Sequence, residues 1–266
     1  MKLLVILALV AAVPVFAGEN VDDIYTPVPD YISVTYGGGP VWNGPNAVLY
    51  TTGPFMNSPG TGAGGADESL MTSSEQTYGW GCQYANNNRM ADDIVVPAGE
   101  TWNVTSMTFC GYQTNSGTNP TINAIYVTIW DDYPTTGAVV YGDFTTNRFA
   151  SAAWTNCYRV LSTESGTGTA RPIMAVVANV TVTLTEGDYW VGYCMAGTGA
   201  SGPWAPPIVN NPPGGATGNA MQQTSGGAWN PVLMQGTNTP VGMPIIVEGT
   251  TTSLSRDTWG SIKTLF

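Results

Sequence analysis

The side chains that carry most enzyme chemistry are few in this sequence, and histidine is absent from it. A chain without histidine has no Ser-His-Asp or Cys-His catalytic group and no histidine metal ligand. Four cysteines remain, and none forms the CxxC spacing that is typical of zinc or redox sites. In an exported chain they predict two disulfides in one of three pairings, with free buried thiols as the alternative. These cysteines are Cys82, Cys110, Cys157 and Cys194.

Acidic residues occur in adjacent pairs that can offer oxygen ligands to calcium. Adjacent strand residues point to opposite faces, so each pair provides one ligand per face. The candidate ligands are Asp93, Asp131 and Asp132. The alternative is that they are turn and edge acids, one of them paired with Arg89 or Arg148. Two carboxylates can also act as acid and nucleophile in a glycosidase, but nothing in the sequence places two of them in one cleft.

Aromatic residues are the third group, with nine tryptophans and thirteen tyrosines in the chain. Exposed rings can stack on the apolar faces of sugars. The best candidates for an extracellular glycan lie at predicted strand ends or in loops, namely Trp130, Tyr133, Trp204 and Trp229. The alternative is that these rings pack in the core or brace loops.

The composition limits the class of protein. Charged residues make up only 9% of the 266 residues, the net charge is −11, and glycine and proline number 33 and 19. The frequent glycine and proline favour many short strands and tight turns. Residues 18–249 contain four arginines and no lysine, so nucleic acid is not an expected partner. Because charged residues are few, the surface must consist largely of uncharged polar residues, which is typical of extracellular proteins.

The N-terminus predicts export. Lys2 precedes an apolar run, Leu3–Val13, and Val15-Phe16-Ala17 supplies the residues expected before a cleavage site. We therefore predict a signal peptide over residues 1–17, a secreted or cell-surface location, and no membrane span after cleavage. The Pro- and Gly-rich residues 18–47 predict an extended lead-in.

The strongest strand pattern lies in the middle of the chain. In Ile122–Trp130, apolar residues alternate with Tyr126, Thr128 and Trp130, which predicts a strand with two different faces. Pro97-Ala98-Gly99 predicts a turn. The apolar phase changes near Thr105-Ser106, which predicts a β-bulge.

Two other segments carry predictions. Residues 96–102 and 184–190 share one pattern, in which an aliphatic residue ends a strand, glycine and an acid form a turn, and an aromatic residue begins the next strand. We therefore expect similar hairpins at matching points of two sheets. Ala66–Ser73 predicts a short helical turn.

These patterns together predict an all-β fold, a single jelly-roll-like β-sandwich of about a dozen strands over residues 48–249. Residues 250–266 form a linker and a C-terminal tail. In this tail Trp259, Ile262 and Phe266 lie on one face of a short amphipathic helix, with Lys263 beside them. Such a tail either packs on the sandwich or is a sorting signal that export machinery recognises.

Several runs resemble an uncharacterised family of secreted bacterial β-sandwich proteins, and they extend over residues 48–249. The resemblance implies the sandwich fold and export, and it assigns no catalytic residue. The ending TWGSIKTLF also resembles short tails on exported bacterial proteins. The matching runs are GPFMNSPGTGAGGADES (53–69), NRMADDIVVPAGETW (88–102), TFCGYQTNSGT (108–118), TTNR (145–148), YRV (158–160), ARPIMA (170–175), SGPWAPP (201–207) and PIIVEG (244–249).

Three functional hypotheses follow from the sequence. The first is a non-enzymatic structural or adhesive protein of the envelope or extracellular matrix, which contacts sister subunits or other matrix components. The second is a carbohydrate-binding module that uses loop aromatics, with or without calcium. The third is a secreted hydrolase, which would need two carboxylates facing each other in a deep cleft.

Overall fold

The computed structural model describes residues 47–253, which form an all-β fold with twelve strands and three short 3₁₀ turns. The predicted all-β class and strand number are confirmed. The predicted signal peptide, most of the predicted lead-in and the predicted C-terminal helix, with Trp259, Ile262, Lys263 and Phe266, lie outside the described residues. The strands are β1 (Ala47–Thr51), β2 (Asp67–Met71), β3 (Trp80–Gly81), β4 (Arg89–Gly111), β5 (Ile122–Trp130), β6 (Val139–Asp143), β7 (Phe149–Leu161), β8 (Pro172–Gly197), β9 (Trp204–Ala205), β10 (Met221–Gln223), β11 (Trp229–Pro231) and β12 (Ile245–Ser253).

Two long strands organise the fold. Strands β4 and β8 form an antiparallel ribbon that pairs Met90 with Tyr193 at one end and Gly111 with Met174 at the other. The pairing shifts register at residues 96–101, where Gly99 adopts a left-handed conformation with φ of 80°. Pro97-Ala98-Gly99 is therefore a bulge inside β4 and does not separate two strands.

This bulge divides the ribbon between two layers of a sandwich. The first layer has the order β11-β10-β4-β8-β5-β6 and uses residues 89–96 of β4. The second layer has the order β1-β12-β4-β8-β7-β2 and uses residues 100–109 of β4. Strands β3 and β9 form a separate two-stranded sheet.

The main core lies between the layers. Phe109 of the second layer contacts Tyr193 of the first, with ring centroids 4.6 Å apart. Residues of β5 alternate as predicted, and Ile125, Val127 and Ile129 point into the core. The bulge predicted near Thr105-Ser106 is also confirmed, since the β4–β8 register shifts between Val104 and Ser106.

Two local predictions are wrong. Residues 96–102 and 184–190 are not separate hairpins in two sheets, because they pair with each other, as Val96 with Gly187 and Thr101 with Thr185. Ala66–Ser73 is not a helical turn, because its residues Asp67–Met71 form β2, which pairs in parallel with β7. Both errors arise because the partner strand is distant in sequence. The last strand also extends past Gly249 to Ser253.

The acidic run at the start of β2 fastens the preceding loop. Glu68 is fully buried, and its carboxylate accepts hydrogen bonds from Thr61 Oγ1 at 2.7 Å, Ser165 Oγ at 2.7 Å and Gly166 N at 2.8 Å. Asp67 Oδ1 accepts one from the backbone N–H of residue 60 at 2.7 Å. Both carboxylates are therefore structural.

Among residues 47–253, no helix has the length and apolar character needed to span a bilayer.

Candidate functional site

A second apolar cluster lies on the outer side of the first layer, facing away from the main core. Its rings project from β5, β8, β11 and the loops around β6. We call it the outer aromatic face. Its aromatic members are Trp130, Tyr133, Phe144, Trp190 and Trp229.

Strand alternation places these rings outside. Trp130 and Trp190 are register partners on β5 and β8, one residue out of phase with the core-facing Ile129 and Val191. Both tryptophans are nearly covered, at 7% and 8% exposure, although they lie outside the main core. Their burial comes from the other members of this cluster, which include Met221 as well as the rings.

Small residues make the floor on which the rings lie. Ala91 and Gly192 pair between β4 and β8. A Cβ atom at Gly192 would lie 2.5 Å from Trp130 Cζ3 and 2.6 Å from Trp130 Cη2, closer than real contacts allow, and 3.0 Å from Phe144 Cζ. The missing side chain thus permits the rings to pack directly on the backbone of β8.

The rings meet mostly at steep angles. Trp130 and Trp229 are 5.9 Å apart at an interplanar angle of 82°, and Tyr133 and Trp190 are 4.9 Å apart at 70°. Edge-to-face contacts of this kind are favourable between aromatic rings. They also mean that the rings do not form a flat row. Tyr133, Phe144 and Trp229 remain half-buried, so part of each ring contacts solvent.

Polar groups border the rings. The Arg89 guanidinium lies 4.3 Å from the Phe144 ring centroid, and its Nη1 donates to Gln223 Oε1. This stacking orients a cation at the edge of the outer aromatic face. The Tyr133 hydroxyl donates to Met221 Sδ at 3.0 Å, and burial raises the pKa of that hydroxyl.

The structure brings three of the four predicted glycan-binding residues together. Trp130, Tyr133 and Trp229 belong to the outer aromatic face. Trp204 lies in β9, where its backbone N–H donates to Tyr112 O at 2.8 Å and its indole donates to Ser201 Oγ at 3.3 Å. Trp204 therefore fastens a loop to the end of β4. The sequence reasoning missed the other two rings and Arg89, although the alternation of β8 places Trp190 opposite Trp130.

The predicted calcium ligands do not converge. Asp131 Oδ1 accepts from Ala138 N, and Asp132 Oδ1 accepts from Tyr133 N, each at 2.7 Å, so both close the turn after β5. Asp93 lies on β4, beside Trp190. Within residues 47–253, no three acidic, cysteine or histidine side chains form a group that could hold a metal ion.

The predicted disulfides are not formed, since all four cysteines are free and buried. Cys82 lies in the main core, while Cys110 and Cys157 share a smaller cluster with Phe55. Burial raises the pKa of all four thiols, that of Cys194 to about 12. They pack as small apolar side chains, the alternative that the sequence left open.

Three arginines brace the sandwich through ion pairs or through hydrogen bonds to carbonyl groups. Arg148 pairs with Asp143 at 3.5 Å, and Arg171 pairs with Glu164 at 3.1 Å. The third arginine, Arg159, is buried and donates to backbone carbonyls.

Comparison with protein-family models, curated proteins and solved structures finds no match.

Proposed function

We propose that this chain is a secreted or cell-surface, non-enzymatic β-sandwich protein with a structural or adhesive role in the envelope or extracellular matrix. Its contact surface is the outer aromatic face. The observation that supports this most is the cluster of five rings on the outer side of the first layer, separate from the main core. A solvated sheet face normally carries polar side chains, and apolar outer faces are typical of interaction sites.

The angles between the rings favour an adhesive protein contact over a saccharide chain stacked along a flat row. Edge-to-face rings at 82° and 70° present an irregular apolar surface, which matches a protein partner better than the extended face of a polysaccharide. Sister subunits and other matrix proteins are the proposed partners.

The test compares the wild type with a variant that carries both Tyr133→Ala and Trp229→Ala. The half-buried rings are removed, while the nearly covered Trp130 and Trp190 remain. Leu233→Ala is the matched control, since Leu233 is 38% exposed and lies outside the cluster. We expect the double variant to lose binding to isolated envelope or matrix material, and the control to keep it. Equal binding by all three proteins would refute the proposed surface.

Carbohydrate binding at the same face is the second candidate. The side chains of Arg89 and Gln223 lie at the edge of the rings and can hydrogen-bond to sugar hydroxyls. A glycan array probed with the mature protein, with and without calcium, separates the two candidates. Specific glycan binding that the double variant loses would replace the protein-contact proposal with this one.

Export and the sorting role of the tail belong to the same proposal and are supported by the sequence alone. Deletion of residues 258–266, which contain Trp259, Ile262, Lys263 and Phe266, tests the tail. We expect the truncated protein to be mislocalised when cells are fractionated. An unchanged location would show that export machinery does not require the tail.

A further inference from the structure

A stacked pair of tyrosine rings lies on the first layer, apart from the outer aromatic face. The ring centroids of Tyr84 and Tyr126 are 4.1 Å apart, and the rings are nearly parallel at 14°. Tyr126 precedes Trp130 by four residues on β5, so both side chains point to the same side of the layer. Neither tyrosine belongs to the cluster of the outer aromatic face. We call this pair the Tyr84 platform.

The upper ring of the platform is open to solvent. Tyr84 is 38% exposed, and no other aromatic residue among residues 47–253 is as exposed. Tyr126 covers one face of this ring, which leaves the opposite face as the flat surface that a ligand can approach. The platform therefore differs from the outer aromatic face, whose rings meet at steep angles.

Hydrogen bonds hold the upper ring in place. Tyr84 opens a 3₁₀ turn in which Asn86 N and Asn88 N donate to Gln83 O at 3.2 and 3.0 Å. The side chains of the turn are bonded too, since Asn88 Nδ2 donates to Gln83 Oε1 at 2.7 Å. Ser225 N donates to Asn88 Oδ1 at 2.9 Å and fastens the turn to a neighbouring loop. Because the turn is already fixed, a ligand does not have to order it on binding.

The groups around the ring are polar and uncharged. Asn86 and Asn87 follow in the same turn and are exposed, and their side-chain amides can donate and accept hydrogen bonds. The neighbouring loop, residues 224–228, contains no charged residue. Arg89 comes just after the turn, but its guanidinium stacks on Phe144. The platform therefore favours a ligand without charge.

A flat ring beside uncharged amides suits a sugar. The face of an aromatic ring carries partial negative charge and attracts the weakly positive C–H groups on one side of a pyranose. The hydroxyl groups at the rim of the sugar can exchange hydrogen bonds with amides. A nucleobase also stacks on tyrosine, but the phosphates of a nucleic acid would be repelled by a chain of net charge −11.

We propose that the Tyr84 platform binds one pyranose ring of a neutral saccharide. The sugar stacks on the open face of Tyr84, and its hydroxyl groups bond to the amides of Asn86 and Asn87. Tyr126 supports the ring from below and keeps it in the orientation that the sugar meets. This site goes beyond the proposed protein contact and does not depend on the outer aromatic face.

Saturation-transfer difference NMR of the wild-type protein tests the contact, with methyl β-glucoside as the probe. For a ligand of this size we expect a Kd of about 1 mM. Transfer should be strongest to the C–H hydrogens of one face of the sugar ring. Absence of saturable transfer, or equal transfer to both faces, would overturn the proposal. Methyl β-glucuronide has the same ring with a carboxylate, and tighter binding of this probe would contradict a neutral site.

Two substitutions separate the flat ring from its bulk. Tyr84→Phe keeps the ring, whereas Tyr84→Leu still covers Tyr126 with an apolar side chain but has no flat face. We expect Tyr84→Phe to bind the glucoside as the wild type does and Tyr84→Leu to lose about tenfold in affinity. Equal binding by Tyr84→Leu would refute the stacking. If that variant does not fold, the pattern of transfer in the wild type still decides.

Tyr133→Ala is the control for the other ring cluster, since Tyr133 belongs to the outer aromatic face. We expect this variant to bind methyl β-glucoside like the wild type, even where it loses binding to envelope or matrix material. Loss of glucoside binding in Tyr133→Ala, with binding kept in Tyr84→Leu, would place the sugar on the outer aromatic face and overturn the platform. Failure of the platform and failure of the protein contact are thereby distinguished.

Discussion

Substitution of Asp92 by asparagine should remove a pH dependence from the stability of the protein. Asp92 is 2% exposed and points into the main core from β4. Its Oδ2 accepts a hydrogen bond from Met243 N, and its Oδ1 accepts one from Asp93 N at 3.0 Å. Burial raises the pKa of the Asp92 carboxyl well above its usual range, although the N–H of Met243 opposes the shift.

The sign follows from proton binding. Above about pH 4 the unfolded chain has lost this proton, whereas the folded protein keeps it until the raised pKa is reached. Within that window the Asp92 contribution to the free energy of unfolding falls by about 1.4 kcal/mol per pH unit. It is fully present below about pH 4 and is lost as the pH rises through the window. Asparagine resembles the protonated acid in shape and does not titrate.

Urea unfolding of the wild type and of Asp92→Asn, from about pH 5 to about pH 8, measures this difference. We expect the stability of the variant relative to the wild type to increase with pH and then to level off. Asp131→Asn is the control, since it replaces a carboxylate in the exposed turn after β5 and leaves Asp92 and its hydrogen bonds in place. Parallel curves for wild type and Asp92→Asn would refute an elevated pKa at this site.

Three further predictions concern the described packing. Glu68→Gln weakens the three charge-assisted bonds to the buried carboxylate and should lower the free energy of unfolding by about 2–4 kcal/mol in urea titration, so a loss below about 1 kcal/mol would contradict the structural role. Gly192→Ala forces Trp130 away from the strand and should cost about 1–3 kcal/mol with a changed tryptophan emission spectrum, whereas an unchanged spectrum would show that the rings do not rest on Gly192. The buried thiols should react with a thiol reagent only after unfolding, and rapid reaction of any of them in the native protein would contradict their burial.

Patterns of neighbouring residues in the sequence correctly predicted the structural features that depend only on neighbouring residues. The alternation in β5 and the bulge near Thr105-Ser106 depend on neighbouring residues, and the structure confirms both. Long-range pairing was not accessible in this way. The segments that begin aromatic strands at Trp102 and at Tyr189-Trp190 pair with each other in one ribbon. Their similarity in sequence could not distinguish paired strands from two separate hairpins. The parallel partner of β2 was hidden for the same reason.

The cysteines show a different limit. An even count and predicted export favour disulfides, but the composition says nothing about where the sulfur atoms lie. In the structure Cys82 packs in the main core and Cys110 packs on the other side of the second layer, each among apolar groups. A thiol in such a place contributes as a small hydrophobe without a disulfide partner. Spacing in the sequence cannot separate these outcomes.

The outer aromatic face was only partly predictable because a strand pattern does not identify which face is buried. In β5, both Ile129 and Trp130 are apolar, so alternation gives two sets of residues without ranking them. The residues that decide which face holds the rings lie on other strands. Ala91 and Gly192 are too small to keep the rings away from the sheet. Small residues at paired positions, next to a strand that ends in tryptophan, are the pattern that would have predicted a ring layer here. The pairing of Ala91 with Gly192 also links the fold to the proposed function. A larger side chain at either position would displace the rings that are proposed to contact the partner.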